Sequence, residues 1–171
     1  MSGTAWVVLE DGLVLEARAV GAPGTALGEM VFTTGMTGYQ EALTDPSYRE
    51  QILCFAAPMI GNYGAGAAGD ESDRPWAEAV IMNRSSNAPG VGGPSGWRDW
   101  LAERGVVAVD GCDTRRLVRH LRDAGAMRGG VSTELDPEEL LARVRAHPTL
   151  DGRDIASGSG RRRRGRWRSG S

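Results

Sequence analysis

The sequence predicts a layered α/β domain with mixed sheets. Three observations carry that reading. Short β-rich runs fill the first half, helix and strand patterns alternate in the second, and 171 residues with 40% hydrophobic and 25% charged side chains suffice for one real core. No internal repeat is present.

The elements follow in order. The run 6-WVVLEDGLVLEARAVG-21 reads as a β-hairpin, because Asp11-Gly12 separates two β-rich segments and glycine accepts positive φ. A short strand follows at 29–34. Gly35 and Gly38 then punctuate a turn, 39–44 forms a helical turn, and Asp45-Pro46 forces turn or extended geometry. The apolar run 51–58 predicts a buried strand closed by Pro58, and 61–72 is a Gly-rich loop. A strand at 77–83 leads into a flexible Gly/Pro/Ser-rich connection, 85–96. Residues 97–105 predict a helix stopped by glycine and feeding a strand at 106–110. Residues 114–125 form a second helix with Leu117, Val118 and Leu121 on one face and Gly125 at its end. After a short strand near 129–133, the last helix has Asp136 as N-cap, Pro137 at N1 and Glu139 at N3. The periodicity ends after His147-Pro148.

Composition limits the function classes. No apolar run approaches the ~18 residues of a membrane span, and the first residues lack the basic start of a signal peptide. Cys54 and Cys112 have no metal-ligand spacing, so reduced, partly buried thiols and a cytoplasmic location are expected. All 20 basic residues are arginine, and six of them stand in 161-RRRRGRWR-168. Residues 1–157 thus hold 14 arginines against 22 acids, a formal charge of −8. An acidic body carries a basic tail.

The stretches 9-LEDG-12, 35-GMTGYQEALTDPSY-48, 61-GNYG-64, 113-DTRRLVRHLRDAGAMRGGVS-132 and 147-HPTLDGRDIAS-157 occur in order along the body. Together they resemble the amino-terminal domain of the small subunit of glutamine-hydrolysing carbamoyl phosphate synthetase. The resemblance implies a swivelling β/β/α fold over 1–157, which in the family precedes a glutaminase domain. It implies a large-subunit partner that uses ATP and Mg to make carbamoyl phosphate for arginine and pyrimidine synthesis. It also implies that Ser47 contacts the bound glutamine. Read from its residues alone, Ser47 lies in a stiff turn after Asp-Pro, where its hydroxyl either serves a ligand or bonds its own backbone. Tyr39 and Gln40 read as packing and turn support.

Glutamine amidolysis of this kind needs a thiolate, a histidine base, an orienting acid and oxyanion donors. Cys54 sits mid-strand without flanking glycines and reads as a structural thiol. Cys112 follows glycine and precedes a helix, a setting that can lower a thiol pKa, but the resemblance puts it in the non-catalytic domain, where its neighbours only serve the start of a helix. His120 lies among arginines on a helix, and His147 precedes proline. The 171 residues are therefore expected to carry no catalytic residue, no cofactor or metal of their own, and no glutaminase domain. The 64-GAGAAG-69 loop lacks the Lys-Ser/Thr of a phosphate loop.

The family pattern stops at Ser157. The remainder, 158-GSGRRRRGRWRSGS-171, has the composition of GC-rich DNA read out of frame, and a disordered tail is expected. Read as chemistry, its arginines and Trp167 would bind phosphates and stack on bases. The alternative function is accordingly a non-catalytic interaction or decoy module with a nucleic-acid-binding tail.

Overall fold

The computed structural model describes residues 3–66 and 69–148. The readings placed on 149–157 and on the Arg-rich tail, 158–171, lie outside the described residues. The fold is mixed α/β with helices layered on a mixed sheet, as the sequence predicts. Its strands are β1 (Thr4–Leu9), β2 (Val14–Ala19), β3 (Thr25–Thr33), β4 (Gln51–Phe55), β5 (Met59–Ile60), β6 (Ala79–Ile81), β7 (Arg84–Ser85), β8 (Val107–Asp110) and β9 (Met127–Ser132). The helices are α1 (Tyr39–Leu43), α2 (Trp97–Glu103), α3 (Thr114–Ala124) and α4 (Pro137–Ala146).

The sheet curls until it closes, in the order β1-β2-β8-β6-β4-β3-β9. β3, β4, β6 and β8 run parallel, and β2, β1 and β9 complete the circle antiparallel. A separate parallel pair joins β5 to β7. β4, β6 and β8 are buried on both faces, which explains their apolar runs. β2 instead alternates buried and exposed positions, with one face toward water.

Side-chain alternation sorts the core into three layers. Ala5, Val7, Ile52, Cys54, Ile81 and Val109 fill the interior of the barrel together with Leu117, Val118 and Leu121 of α3, which caps it. Leu53, Phe55, Val80 and Ala108 face outward under α1 and α2, packed on Tyr39, Leu43, Trp97 and Leu101. α4 lays Leu140 and Val144 over Val8. Its approach depends on Gly130, where a Cβ would stand 2.8 Å from both Leu140 and Val144. No helix among the described residues is long and apolar enough to cross a membrane.

Two elements differ from their sequence expectation. β3 begins at Thr25 rather than at 29, because residues 25–30 pair with β9, about a hundred positions later. The 85–96 connection does not run free. Arg84–Ser85 is a strand, Ala65 bridges Ser95, and Gly64 approaches Gly90 and Gly93 so closely that a Cβ there would meet backbone atoms at 2.7 and 2.8 Å. Two glycine-rich loops therefore pack backbone to backbone.

One ion pair ties the hairpin to the last helix. Arg128 donates from Nε and Nη2 to Glu10 Oε2 at 3.0 and 2.6 Å, and from Nη1 to the His147 carbonyl at 2.8 Å. The hydrogen bond from the Arg128 side chain holds the Glu10 carboxyl below its ordinary value of 4.5, against a partial opposing effect of burial. A depressed carboxylate stabilises the fold above its unfolded pKa, and that stabilisation is lost as pH falls through the folded value. Glu10→Gln is therefore expected to cost stability at neutral pH and to flatten the acid limb of the unfolding curve below about pH 4.5. Urea titrations at several pH values measure this, and parallel acid limbs for the two proteins would refute it.

Candidate functional site

The candidate site is built on the segment from the end of β3 to the start of β4. Gly38 is left-handed at φ 75° and starts α1, and its N–H donates to the Tyr63 hydroxyl at 2.7 Å. Tyr39 then turns inward. Its hydroxyl donates to the Gly64 carbonyl at 2.7 Å, and its ring stacks on Tyr63 with centroids 4.3 Å apart. Desolvation pushes the Tyr39 phenol up to about 12, so it is a neutral strut rather than an acid. Gln40 is buried and grips the Gly-rich loop. Its Oε1 accepts from the Gly66 N–H at 3.1 Å, and its Nε2 donates to the Gly66 carbonyl and to Asp70. Thr44 holds the far side, accepting from the Glu71 N–H at 2.8 Å and, through its carbonyl, from the Ser72 hydroxyl at 2.7 Å.

On this platform sits the turn that carries Ser47. Asp45 caps it by accepting the Ser47 N–H at 2.9 Å, and Pro46 occupies the first position of a 3-10 turn, Pro46–Tyr48. Glu50 leaves the turn with φ 61°, an uncommon conformation for a side chain of its size. Its carbonyl accepts the Glu29 N–H at 3.1 Å, and a Cβ on Gly28 would approach that carbonyl to 2.6 Å. Side-chain cap, proline and strand pairing thus fix the backbone from both ends. Ser47 itself is exposed, and its hydroxyl bonds no described residue. Its N–H is held by Asp45, and its side chain has no hydrogen-bond partner among the described residues.

The thiols and imidazoles that could have served as nucleophile and base lie elsewhere. Cys54 and Cys112 are both buried, and Cys112 belongs to the interior of the barrel rather than to the open start of α3. Burial, reinforced by the Asp113 charge, pushes the Cys112 thiol up to about 12, the reverse of the lowered value its position suggested. The reason is local. Asp113, not Cys112, takes the cap position, accepting the Arg116 N–H at 3.0 Å, while Cys112 turns into the core. Burial raises Cys54 further still. His120 contacts Asp11 at 2.5 Å across to the hairpin turn, instead of standing free in solvent. His147 ends α4 and offers its carbonyl to Arg128. Among the described residues, no cluster of His, Cys, Asp or Glu gathers to hold a metal ion.

The carbamoyl-phosphate synthase small chain, CPSase domain, matches residues 7–131, which run from β1 into β9 and include the whole Ser47 platform. The chain belongs to that family. Curated relatives agree. The carbamoyl phosphate synthase small chain of Nitratidesulfovibrio vulgaris (strain DSM 19637 / Miyazaki F) is 48% identical over 160 residues, covering 90% of this chain and 41% of that protein. Its counterpart from Thermosynechococcus vestitus is 47% identical over 163 residues, covering 91% and 41%. That from Thermotoga maritima is 45% identical over 163 residues, covering 91% and 40%. The chain thus spans about two fifths of the length of the curated relatives it matches.

Within this carbamoyl-phosphate synthase small-chain domain, the motif 35–48 is one structural unit rather than a row of separate turns. Sequence reasoning found its outward residue, Ser47, and its inward residues, Tyr39 and Gln40. It missed Tyr63 and the backbone of Gly64 and Gly66, which receive them. The aromatic residue inside 61-GNYG-64 was the available signal, since a tyrosine between turn glycines needs a surface to pack on.

Proposed function

We propose that this domain serves the small, glutamine-hydrolysing subunit of carbamoyl phosphate synthetase, docking on the large subunit and lending Ser47 to the glutamine site of a glutaminase domain. The reading rests on the family match across the whole barrel. One observation carries the part played by Ser47: an exposed hydroxyl without a partner among the described residues, on a turn fixed at both ends. A serine held this way donates or accepts at low entropic cost when a ligand is brought to it from outside. The ammonia released from glutamine would feed carbamoyl phosphate synthesis for arginine and pyrimidines in the cytoplasm, with ATP and Mg bound on the large subunit.

The buried, high-pKa thiols support a second part of the proposal, that these 171 residues hydrolyse no glutamine alone. Residues 1–157 form the domain on this reading, and 158–171 are out-of-frame translation. Reading the gene from the Asp151 codon in all three frames tests the latter. If another frame continues into a glycine-flanked cysteine, the tail is out of frame; if none does, that part of the proposal fails.

Co-expression with a tagged large subunit tests the docking. The expected result is co-purification in equal amounts, with no glutamate released from glutamine by the isolated chain. Failure to co-purify would refute the docking role, and glutamate release abolished by Cys112→Ser would refute the absence of a nucleophile.

A further inference from the structure

The outer face of α3 carries a row of three arginines. Arg115, Arg119 and Arg122 recur at i, i+4 and i+7, so they stand in one row about 10 Å long. All three are exposed and line a groove of about 580 Å³ whose apolar part includes Ala56, Pro58 and Val118. Arg122 lies over the Phe32 ring, 5.3 Å from its centroid. Among the described residues none of the three pairs with a carboxylate, although the body of the chain is acidic. The contrast with α4 is direct: Arg143 pairs with Glu139, and Arg145 donates to the Glu10 carbonyl. Like charges one turn apart weaken a helix, a cost that the contact of Arg122 with Phe32 offsets only in part.

We infer that this groove is a docking surface for an acidic, extended segment of a partner protein. Guanidinium groups accept carboxylates in paired, planar geometry, and the apolar floor suits side chains between them. In an extended chain alternate residues repeat every ~7 Å, so two or three acids on one side of a strand span the row. A compact phosphate ligand fits less well. The three arginines are strung along the helix rather than converging, and the Asp113 carboxylate occupies the amide end where a phosphate would seat. A nucleic-acid strand also fits poorly, because the aromatic face of Phe32 beside the row is already covered by Arg122. The inference stands on α3, the segment after β4 and Phe32 of β3, and does not depend on the role proposed for Ser47.

Site-resolved NMR of the full 171-residue chain, titrated with a short polyglutamate peptide, tests it. The expected result is saturable shifts of the Arg115, Arg119 and Arg122 Nε–H signals and of the Ala56 and Val118 amides. Replacing all three arginines by alanine is expected to weaken binding, read at the Ala56 and Val118 amides, more than about tenfold, since each charged contact is worth a factor of several. Arg116→Ala, on the same helix but outside the groove, changes it less than about twofold by the same reasoning. A dispersed spectrum for each variant establishes that it is folded. Shifts confined to residues 158–171, or an equal loss in Arg116→Ala, would overturn the inference. So would tighter binding of inorganic triphosphate or oligothymidylate at the same signals.

Discussion

Replacing Trp97 with alanine is expected to remove about 3–5 kcal/mol of stability, a large share of the total for a domain of this size. Trp97 is fully buried. Its ring stacks on Trp100 with centroids 5.2 Å apart, tilts against Tyr39 at 4.6 Å, and donates from Nε1 to the Met82 sulfur at 3.2 Å. The chain is shaped around it: Gly61 has φ 85°, and a Cβ there would stand 2.5 Å from the Trp97 Cβ. Truncation therefore opens a cavity between α2 and the outer face of the sheet, which rigid neighbours cannot fill. It also withdraws one support from Tyr39, and through Tyr39 from the platform under Ser47. Urea unfolding measures the loss, and Trp97→Phe should recover part of it. A cost below about 1 kcal/mol would show that the aromatic layer contributes little.

Ser47→Ala is expected to do the opposite, leaving stability untouched and weakening glutamine use. The hydroxyl bonds nothing described in the domain, so its removal strands no partner and the melting temperature should hold. On the proposed reading it meets a charged amino acid, and losing one such hydrogen bond is worth about 1.5–3 kcal/mol, or roughly tenfold to a hundredfold in kcat/KM. A chimera joining residues 1–148 to the remainder of the Thermotoga maritima small chain makes this measurable as glutamate release. Asp45→Ala in the same chimera should move in the same direction while also lowering stability by about 1 kcal/mol, since it removes the cap. Unchanged glutamine kinetics in Ser47→Ala would remove Ser47 from the site. A fall in melting temperature would assign it a structural role instead.

Much of the domain was legible in the sequence because the signals were local. Asp11-Gly12 made the hairpin, with Gly12 at φ 97°. Asp136-Pro137 began the last helix, with Asp136 accepting the Glu139 N–H at 2.8 Å. Asp45-Pro46 stiffened the Ser47 turn as expected. These devices act within four residues, so composition at fixed offsets reveals them. For Cys112 the local signal was incomplete. A helix start was visible, but which of two adjacent residues caps it and which turns inward depends on the barrel beneath.

By itself, the sequence determined the family, the element types and the turn that presents Ser47. Only the tertiary structure decided the rest. β9, with glycines at 129 and 130, has poor strand propensity, yet it closes the barrel by pairing with β1 on one side and β3 on the other. Its glycines are required by Met30 and Leu9 inside, about a hundred residues earlier, and by Leu140 and Val144 of the following helix outside. Likewise, the grip of Gln40 on Gly66 and the unpaired arginine row of α3 depend on what lies opposite. Side-chain periodicity tells which face a residue occupies. Which partner meets that face is settled by pairings a hundred residues apart, whose energies no local window contains.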